Sequence, residues 1–253
     1  MLRRSAIIVF SGLLVTACIG QTQRREPSVR QAVRGANGAV AAGSDYATEA
    51  GMRMFALGGN AVDVGVATMY AAAVTELSHF GMGGEAPILI RTKDGKVYSI
   101  AGIGTMPKLA TADFFRKRAL KIGETTFEDD GKGLAGVMPN AGLMPALVPG
   151  MVDAGLVALR EFGTKSFAEA IAPAIEYADG YVVDQMRAGS FASGVPFFEL
   201  WPASKAHFMP NGRTARVGEI FRQPNLARTL RAMAQAEKTA LAAGKNQIGR
   251  AHV

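Results

Sequence analysis

The run Leu57-Gly58-Gly59-Asn60 joins two helical patterns, and this joint restricts the possible folds of the chain more than any other feature. Ser44 is a candidate N-cap for the first helix, whose apolar residues recur at helical spacing up to Leu57. Gly58 and Gly59 are expected to adopt positive φ and to end that helix. Asn60 is a good N-cap for the second helix. The joint therefore predicts two consecutive helices with a tight turn between them.

A glycine-rich loop and a hairpin follow the second helix. This helix is rich in alanine and valine all the way round, which predicts that it is buried, and its main apolar face consists of Val62, Val66, Met69, Ala73 and Leu77. The loop runs from Gly81 to Gly84. The hairpin is predicted from strands Ala86–Thr92 and Val97–Ala101, which flank the turn Lys93-Asp94-Gly95-Lys96. These patterns alone indicate an α-rich protein with one hairpin, and a buried helix pair with a glycine cap explains them without any active site.

The order of these motifs resembles the start of the large subunit of the γ-glutamyltransferase (γ-glutamyltranspeptidase) family. The matching residues are Ala47 to Gly51, Leu57 to Ala67 and the Gly81–Gly84 loop. Further matches follow at residues 107–115, 148–164, 173–183 and 222–230, so the resemblance extends from Gly43 to about Ala236. It implies an α+β fold, the αββα sandwich of N-terminal-nucleophile hydrolases, which would be incomplete and α-rich in this chain.

Several later helices are expected from local signals. Thr111 is a candidate cap for a short helix, and a helix from Met151 to Phe162 is closed by Gly163. Ser166 and Glu169 form a capping box before an apolar face that consists of Phe167, Ile171, Ala174, Ile175 and Ala178, with Gly180 at the end. The polar, glycine-rich stretch between Arg118 and Asn140 is predicted to be a surface loop.

Residues 1–18 are predicted to be a lipoprotein signal peptide. Arg3 and Arg4 precede an apolar run of about 12 residues, which is too short to span a bilayer, since that requires about 20. Val15-Thr16-Ala17-Cys18 resembles a bacterial lipoprotein processing box, and Cys18 is the only cysteine. We expect lipidation of Cys18, a polar tether at residues 19–38, and location in the bacterial periplasm or on the outer surface, anchored by lipid. An ordinary secretory signal with a chance cysteine is the alternative.

The remaining chain is interpreted as a γ-glutamyltransferase-like large-subunit portion at residues 39–247, followed by a non-native tail at residues 248–253. The tail, Ile248-Gly249-Arg250-Ala251-His252-Val253, has neither helical nor strand periodicity. The formal charge of +7 and the hydrophobic content of 49% indicate a folded basic protein. No basic run alternates with aromatic residues, so nucleic-acid binding is not expected.

Metal and cofactor chemistry is not predicted from this sequence. The three histidines, His79, His207 and His252, are far apart, and no paired-cysteine or H-E-x-x-H pattern occurs. The acidic run Glu128-Asp129-Asp130 is most simply a solvated loop, although calcium binding is an alternative. The glycines at 81–84 lack the lysine of a phosphate-binding loop. We therefore expect no metal and no cofactor.

The resemblance locates the chemistry outside this sequence. Members of the family cut themselves, and the freed threonine of the small subunit attacks a γ-glutamyl amide, with its own α-amine as base. That threonine and its Thr-x-His-type motif are absent here, so no catalytic residue is predicted within the chain. The resemblance assigns Gly102, Ile103, Gly104 and Thr105 to the substrate-binding element. Ile103 occupies the position of an arginine that binds the substrate α-carboxylate in typical members, and Lys108 is the only nearby cation in the sequence.

Two functions of different class follow from these motifs. The first is an amide-cleaving acyl transferase or hydrolase that moves a γ-glutamyl or related acyl group to water or an amine. Its partners would be a small acyl-amide substrate, the absent small-subunit portion and, through Cys18, a membrane. The second is a non-catalytic, membrane-tethered lipoprotein that keeps the fold for binding. We also expect the chain alone to expose apolar sheet surface, because the absent portion would supply strands that cover the hairpin.

Overall fold

A computed structural model describes residues 34–77, 79–118 and 142–244. The chain divides into two units at Asn37, and of the first unit only the exposed residues 34–37 are described. Residues 38–253 form the second unit, which contains all the elements below. Its described helices are α1 (Asp45–Ala56), α2 (Ala61–Thr75), α3 (Ala112–Lys117), α4 (Met151–Phe162), α5 (Phe167–Ala170), α6 (Ala172–Asp179), α7 (Gln185–Phe198), α8 (Pro202–Phe208) and α9 (Pro224–Ala242).

The described strands form two separate antiparallel pairs. Strands β1 (Ile88–Arg91) and β2 (Val97–Ile100) form the expected hairpin, with Ile88 opposite Ile100 and Arg91 opposite Val97. Strands β3 (Tyr181–Val182) and β4 (Ile220–Phe221) form a second, two-residue pair. Sequence patterns did not predict this second pair, because two residues are too few to show alternation. β1 and β2 are shorter than the predicted segments, since regular pairing covers only the residues between the turn and the glycine-rich flanks.

The joint between α1 and α2 forms largely as predicted. Ser44 caps α1 by accepting a hydrogen bond from the Ala47 N–H at 3.2 Å, and Gly58 has φ +77°. The prediction that Gly59 also adopts positive φ is wrong, because Gly58 alone reverses the chain. Gly59 instead provides space, since a Cβ there would lie 3.0 Å from the carbonyl oxygen of Met54.

Helix α2 is the central element of the core. It packs against α1, α4, α5 and α6, and Ala67, Tyr70, Ala71 and Val74 are completely buried. Leu77 does not belong to its apolar face as predicted, because the helix ends at Thr75. The carbonyl groups at this buried end need partners. Gln223 Nε2 donates to Val74 O at 2.8 Å, and Arg187 Nε donates to Thr75 O at 2.6 Å.

Asp63 binds the other end of α2 to the loop after α4. Its fully buried carboxylate accepts hydrogen bonds from the backbone N–H groups of Asn60 (2.8 Å), Thr164 (2.9 Å) and Lys165 (3.0 Å), and from the Thr164 hydroxyl (2.6 Å). Burial alone would raise the pKa of Asp63, but the hydrogen bonds from Thr164, Lys165 and Asn60 outweigh it and lower the pKa. Asn60 and Asp63 thus form a capping box, and Asp63 also holds the loop after α4 in place.

The apolar face beyond Ser166 is divided between two helices. Ser166 and Glu169 form the predicted capping box of α5, but α5 ends at Ala170 and α6 begins at Ala172. Pro173 lies in the first turn of α6, where its missing N–H is tolerated, and this position explains the break. The predicted Thr111 cap and the bounds of α4 are confirmed.

The outward face of the β1–β2 hairpin is exposed and carries two large apolar side chains, Leu89 and Val97, together with Arg91 and Ser99. Leu89 is 77% exposed and Val97 is 64% exposed, whereas Ile90 on the opposite face is buried. Within the described ranges, no helix is both long and apolar enough to cross a bilayer. The predicted signal peptide at 1–18, most of the predicted tether at 19–38, the predicted loop with its acidic run, and the predicted tail at 248–253 lie outside the described residues.

We predict that Asp63→Asn lowers the free energy of unfolding of the full chain by about 1–3 kcal/mol at pH 7, because at least one buried N–H then faces the new amide NH₂. Since the lowered pKa of Asp63 favours the carboxylate in the fold, the penalty is complete well above pH 4 and shrinks as the pH falls through that pKa. Urea unfolding, monitored by circular dichroism, measures this loss of stability.

Asp179→Asn is the matched control for this experiment. Asp179 pairs with Arg231 on the surface, and such an exposed pair contributes about 0–1 kcal/mol. An unchanged stability of Asp63→Asn at pH 7 would show that the Asp63 network does not support the fold.

Candidate functional site

The segment from Ala101 to Thr105 follows strand β2 and has alternating exposure. Gly102 and Gly104 are half-buried, whereas Ile103 and Thr105 are exposed. Gly102 has a positive φ of +54°, so the segment is not a regular strand, and the exposures themselves show which residues face outward. The segment therefore presents Ile103 and Thr105 outward and turns its glycines toward the protein.

Backbone hydrogen bonds hold this segment between two others. Ala86 N–H donates to Gly102 O at 2.9 Å, and Val148 N–H donates to Thr105 O at 3.0 Å. Met151 N–H, at the start of α4, donates to Gly84 O at 3.1 Å. The glycine-rich loop, the 101–105 segment and the Val148–Gly150 turn are thus connected to one another. These are three of the elements on which the sequence resemblance rests.

Glycine is required where these segments cross. Gly102 has φ +54°, and a Cβ there would lie 2.0 Å from Ala86 O. A Cβ at Gly104 would lie 1.6 Å from Val148 O, and one at Gly150 would lie 2.5 Å from Gly102 O. Real Cβ atoms do not approach backbone this closely, so each side chain would separate the segments. The sequence motifs suggested only that backbone passes close to something at these glycines, and the structure shows that it is backbone.

Tyr70 supports the start of α4, the helix that follows the Val148–Gly150 turn. Its hydroxyl donates to Val152 O at 3.0 Å, and a Cβ at Gly155 would lie 2.8 Å from its ring. Burial, with a smaller contribution from the charge of Asp153, raises the pKa of Tyr70, so the phenol stays neutral and able to donate. This residue was not singled out from the sequence, and a tyrosine on an apolar helical face gives no signal that distinguishes it from ordinary core.

Ile103 is the larger of the two outward side chains, Ile103 and Thr105. It is 56% exposed, and Lys108, three residues after Thr105, is also exposed. An isoleucine offers no donor to an anionic substrate group. The four residues assigned to the substrate-binding element therefore lie together on one rigid segment, and the outward surface of that segment is apolar at position 103.

Other candidates from the sequence do not form a reactive site in the described residues. His207 packs edge-on against Phe208 and Phe221, and burial lowers its pKa, so it is neutral near pH 7. No group of three His, Cys, Asp or Glu side chains in the described ranges is arranged to hold a metal ion. An apolar cavity of about 250 Å³ lies between α2 and β1, lined among others by Val66, Met69 and Ile88. Its apolar lining suits packing more than catalysis.

The arrangement of elements matches solved structures of a transpeptidase and an acylase. The chain superposes on a gamma-glutamyltranspeptidase from Helicobacter pylori with a TM-score of 0.71 at 25% identity, covering 83% of this chain and 57% of that one. It superposes on a cephalosporin acylase from Bacillus halodurans with a TM-score of 0.64 at 29% identity, covering 77% and 35%. The fold is therefore of the N-terminal-nucleophile hydrolase class, mixed and helix-rich, as the sequence predicted.

The family described as gamma-glutamyltranspeptidase matches residues 47–246 of the sequence. The chain belongs to the gamma-glutamyltranspeptidase family, which confirms the resemblance. It is 31% identical to the acylase ACY 1 proenzyme of Pseudomonas sp. (strain V22), over 86% of this chain and 38% of that protein. It is also 31% identical to the glutathione hydrolase proenzyme of Escherichia coli (strain K12), over 83% of this chain and 34% of that protein. The chain thus spans little more than a third of these relatives.

We predict that Gly104→Ala lowers the free energy of unfolding by about 1–3 kcal/mol or more, because the methyl group forces the 101–105 segment away from Val148. Gly189→Ala is the matched control. Gly189 is exposed inside α7 and has no atom within 4 Å of the place that a Cβ would take, so the change there should stabilise by about 0.5–1 kcal/mol. Thermal unfolding of both variants measures the difference, and equal midpoints would contradict the close backbone crossing.

Proposed function

We propose that this chain is the front portion of an amide-cleaving acyl transferase or hydrolase. It would bind the acyl group of a small amide substrate, while a threonine outside this sequence attacks the carbonyl and transfers the acyl group to water or an amine. Family membership supports the reaction class. The proenzymes among its relatives support the idea of a self-cleaving precursor with a second subunit.

The observation that carries this proposal is the 101–105 segment, held by close backbone contacts, beside a sheet face that exposes two large apolar side chains. Gly102 and Gly104 fix the segment through contacts that leave no space for a side chain. Leu89 and Val97 on the adjoining hairpin expose apolar surface that a folded protein normally covers. A second sheet from the absent portion would cover this face and bring the nucleophile toward the outward row of Ile103 and Thr105.

Ile103 leads us to propose an acyl group without an α-carboxylate as the preferred substrate. Typical members use an arginine at this position, and a guanidinium binds a carboxylate through two charge-assisted hydrogen bonds. Truncating one partner of such a pair costs on the order of 2–5 kcal/mol. Isoleucine cannot replace the arginine, and Lys108 lies on a separate turn. We therefore expect free glutathione to be a poor substrate and an acylase-like activity to be stronger.

We predict that Ile103→Arg in the protein from the uninterrupted gene raises kcat/KM for γ-glutamyl-4-nitroanilide by about tenfold or more, since even 1.4 kcal/mol of recovered binding corresponds to tenfold. Release of 4-nitroaniline measures the rate. Leu109→Arg is the control, because Leu109 is more exposed than Ile103 and receives the same charge six residues away.

Two outcomes would count against the proposal. Wild-type γ-glutamyl activity equal to that of ordinary members would refute the role assigned to Ile103 while leaving the enzyme assignment intact. An uninterrupted gene that encodes no threonine exposed by self-cleavage would remove the enzyme assignment itself, and a lipid-tethered binding protein would remain.

We also propose that Cys18 is acylated and anchors the protein to a bacterial membrane on its periplasmic or outer side. The support is the processing-box sequence that precedes the cysteine. We predict that mass spectrometry of the membrane-extracted protein finds a lipid-modified Cys18 at the N-terminus, and that Cys18→Ser abolishes the modification. A mature N-terminus at another residue, without lipid, would support an ordinary secretory signal instead.

A further inference from the structure

The β3–β4 pair has an apolar residue on both of its faces. On the inner face, Tyr181 and Phe221 are directly opposite each other and are buried. On the outer face, Val182 and Ile220 are directly opposite each other and are 49% and 51% exposed. The inner pair belongs to the core, so its apolar character is explained by the fold. The outer pair has no such explanation, since a solvated strand face normally carries polar residues.

The outer pair is rigidly held. The hydroxyl of Tyr46 donates to Val182 O at 2.8 Å, and the buried guanidinium of Arg187 lies 5.3 Å from the ring centroid of Tyr46. On the far side, Val183 N–H donates to Glu219 O at 2.8 Å, and Gly218 N–H donates to Val183 O at 2.9 Å. The exposed aliphatic side chains therefore stand on a fixed platform and do not belong to a loose chain end.

Two exposed arginines lie near this pair in the sequence. Arg222 follows Ile220 and Phe221 directly and is exposed, and Arg216 and the exposed Val217 precede the pair at the adjoining turn. Val182, Val217 and Ile220, together with Arg216 and Arg222, are called the β3–β4 patch below. The patch combines three exposed β-branched side chains with two guanidinium groups.

The carboxylates of this region are already engaged. Residues 210–244 contain six basic residues and two acidic ones, Glu219 and Glu237, while Asp179 and Asp184, which flank β3, pair with Arg231 and Arg187. Glu219 accepts hydrogen bonds from Arg213 Nη1 and Nη2, both at 2.8 Å, and these lower its pKa to about 2. Glu237 is buried and accepts from the N–H groups of Phe167 and Ala168 at the start of α5. Glu219 also accepts from the Arg216 N–H at 2.9 Å, but its ion pair is with Arg213, and within the described residues the side chains of Arg216 and Arg222 form no ion pair.

We propose that the β3–β4 patch docks on an anionic phospholipid surface. Aliphatic side chains that enter the boundary between headgroups and acyl chains, with arginines at the level of the phosphates, are the arrangement that such a surface binds. Charge complementarity favours this partner. The two exposed aliphatic residues at the centre distinguish the patch from a purely basic, nucleic-acid-binding surface. The proposal requires that the part of the protein outside this sequence leaves the patch exposed, but it does not depend on the enzymatic reaction.

A fluorescent label in the patch tests the proposal with the full chain. Val217→Cys in a Cys18→Ser background gives one thiol for an environment-sensitive nitrobenzoxadiazole group. Lys96→Cys in the same background is the control label, because Lys96 is exposed on the β1–β2 turn and both proteins keep the same N-terminal apolar run. With vesicles that contain phosphatidylglycerol, the emission of the label at position 217 should shift to shorter wavelength, and the emission at position 96 should not.

Arginine variants then test the charge. Arg216→Gln and Arg222→Gln should each weaken vesicle binding of the position-217 protein about fivefold, which corresponds to about 1 kcal/mol per cation at an anionic surface. Arg116→Gln, a change at another exposed arginine, should leave binding unchanged. Circular dichroism verifies that all variants are folded.

The opposite results would overturn the proposal. These are no shift at position 217, an equal shift with phosphatidylcholine alone, an equal shift at position 96, or binding that survives both arginine replacements. A shift that grows with protein concentration in the absence of vesicles would assign the patch to a second copy of the chain, and a shift produced by transfer RNA alone would assign it to nucleic acid.

Discussion

The burial of helix α2 is the constraint on which the rest of this structure depends. A helix surrounded by other helices hides its terminal N–H and C=O groups from water, and each of these groups needs another partner. Asp63 and Asn60 supply those partners at one end, and Gln223 and Arg187 supply them at the other. Because Gln223 and Arg187 come from distant parts of the sequence, the same hydrogen bonds that satisfy α2 also gather the later helices around it.

The candidate site depends on a second constraint, the approach of backbone to backbone. Three segments cross within distances that exclude a Cβ at Gly102, Gly104 and Gly150. Such contacts leave little freedom for the chain, so the outward residues Ile103 and Thr105 are held in place by the backbone itself. Residues held in this way keep a fixed geometry, which a mobile loop could not provide.

Much of the local structure followed from the sequence because its causes are local. The caps at Ser44, Asn60, Thr111 and Ser166 involve residues within three positions of one another, and all four form. The errors have local causes as well. Gly59 was given a positive φ that Gly58 alone supplies, and the effect of Pro173 on α5 and α6 was not considered. The β3–β4 pair was invisible, since its strands have two residues each and pair across a long stretch of sequence.

The sequence by itself determined helices α1 to α4, the β1–β2 hairpin and the family, because these depend on spacing, caps and motif order, whereas helices α7 and α8 were not predicted. Only the tertiary structure decided what Asp63, Tyr70, Arg187 and Gln223 do, since each of them bonds to groups that lie between 82 and 149 positions away. It also decided which glycines adopt a positive φ, as Gly58 does, and which leave no space for a Cβ, as Gly104 does. The reason is physical: a cap is a property of a few neighbouring residues, whereas a buried hydrogen bond or a backbone crossing exists only after distant segments have packed together.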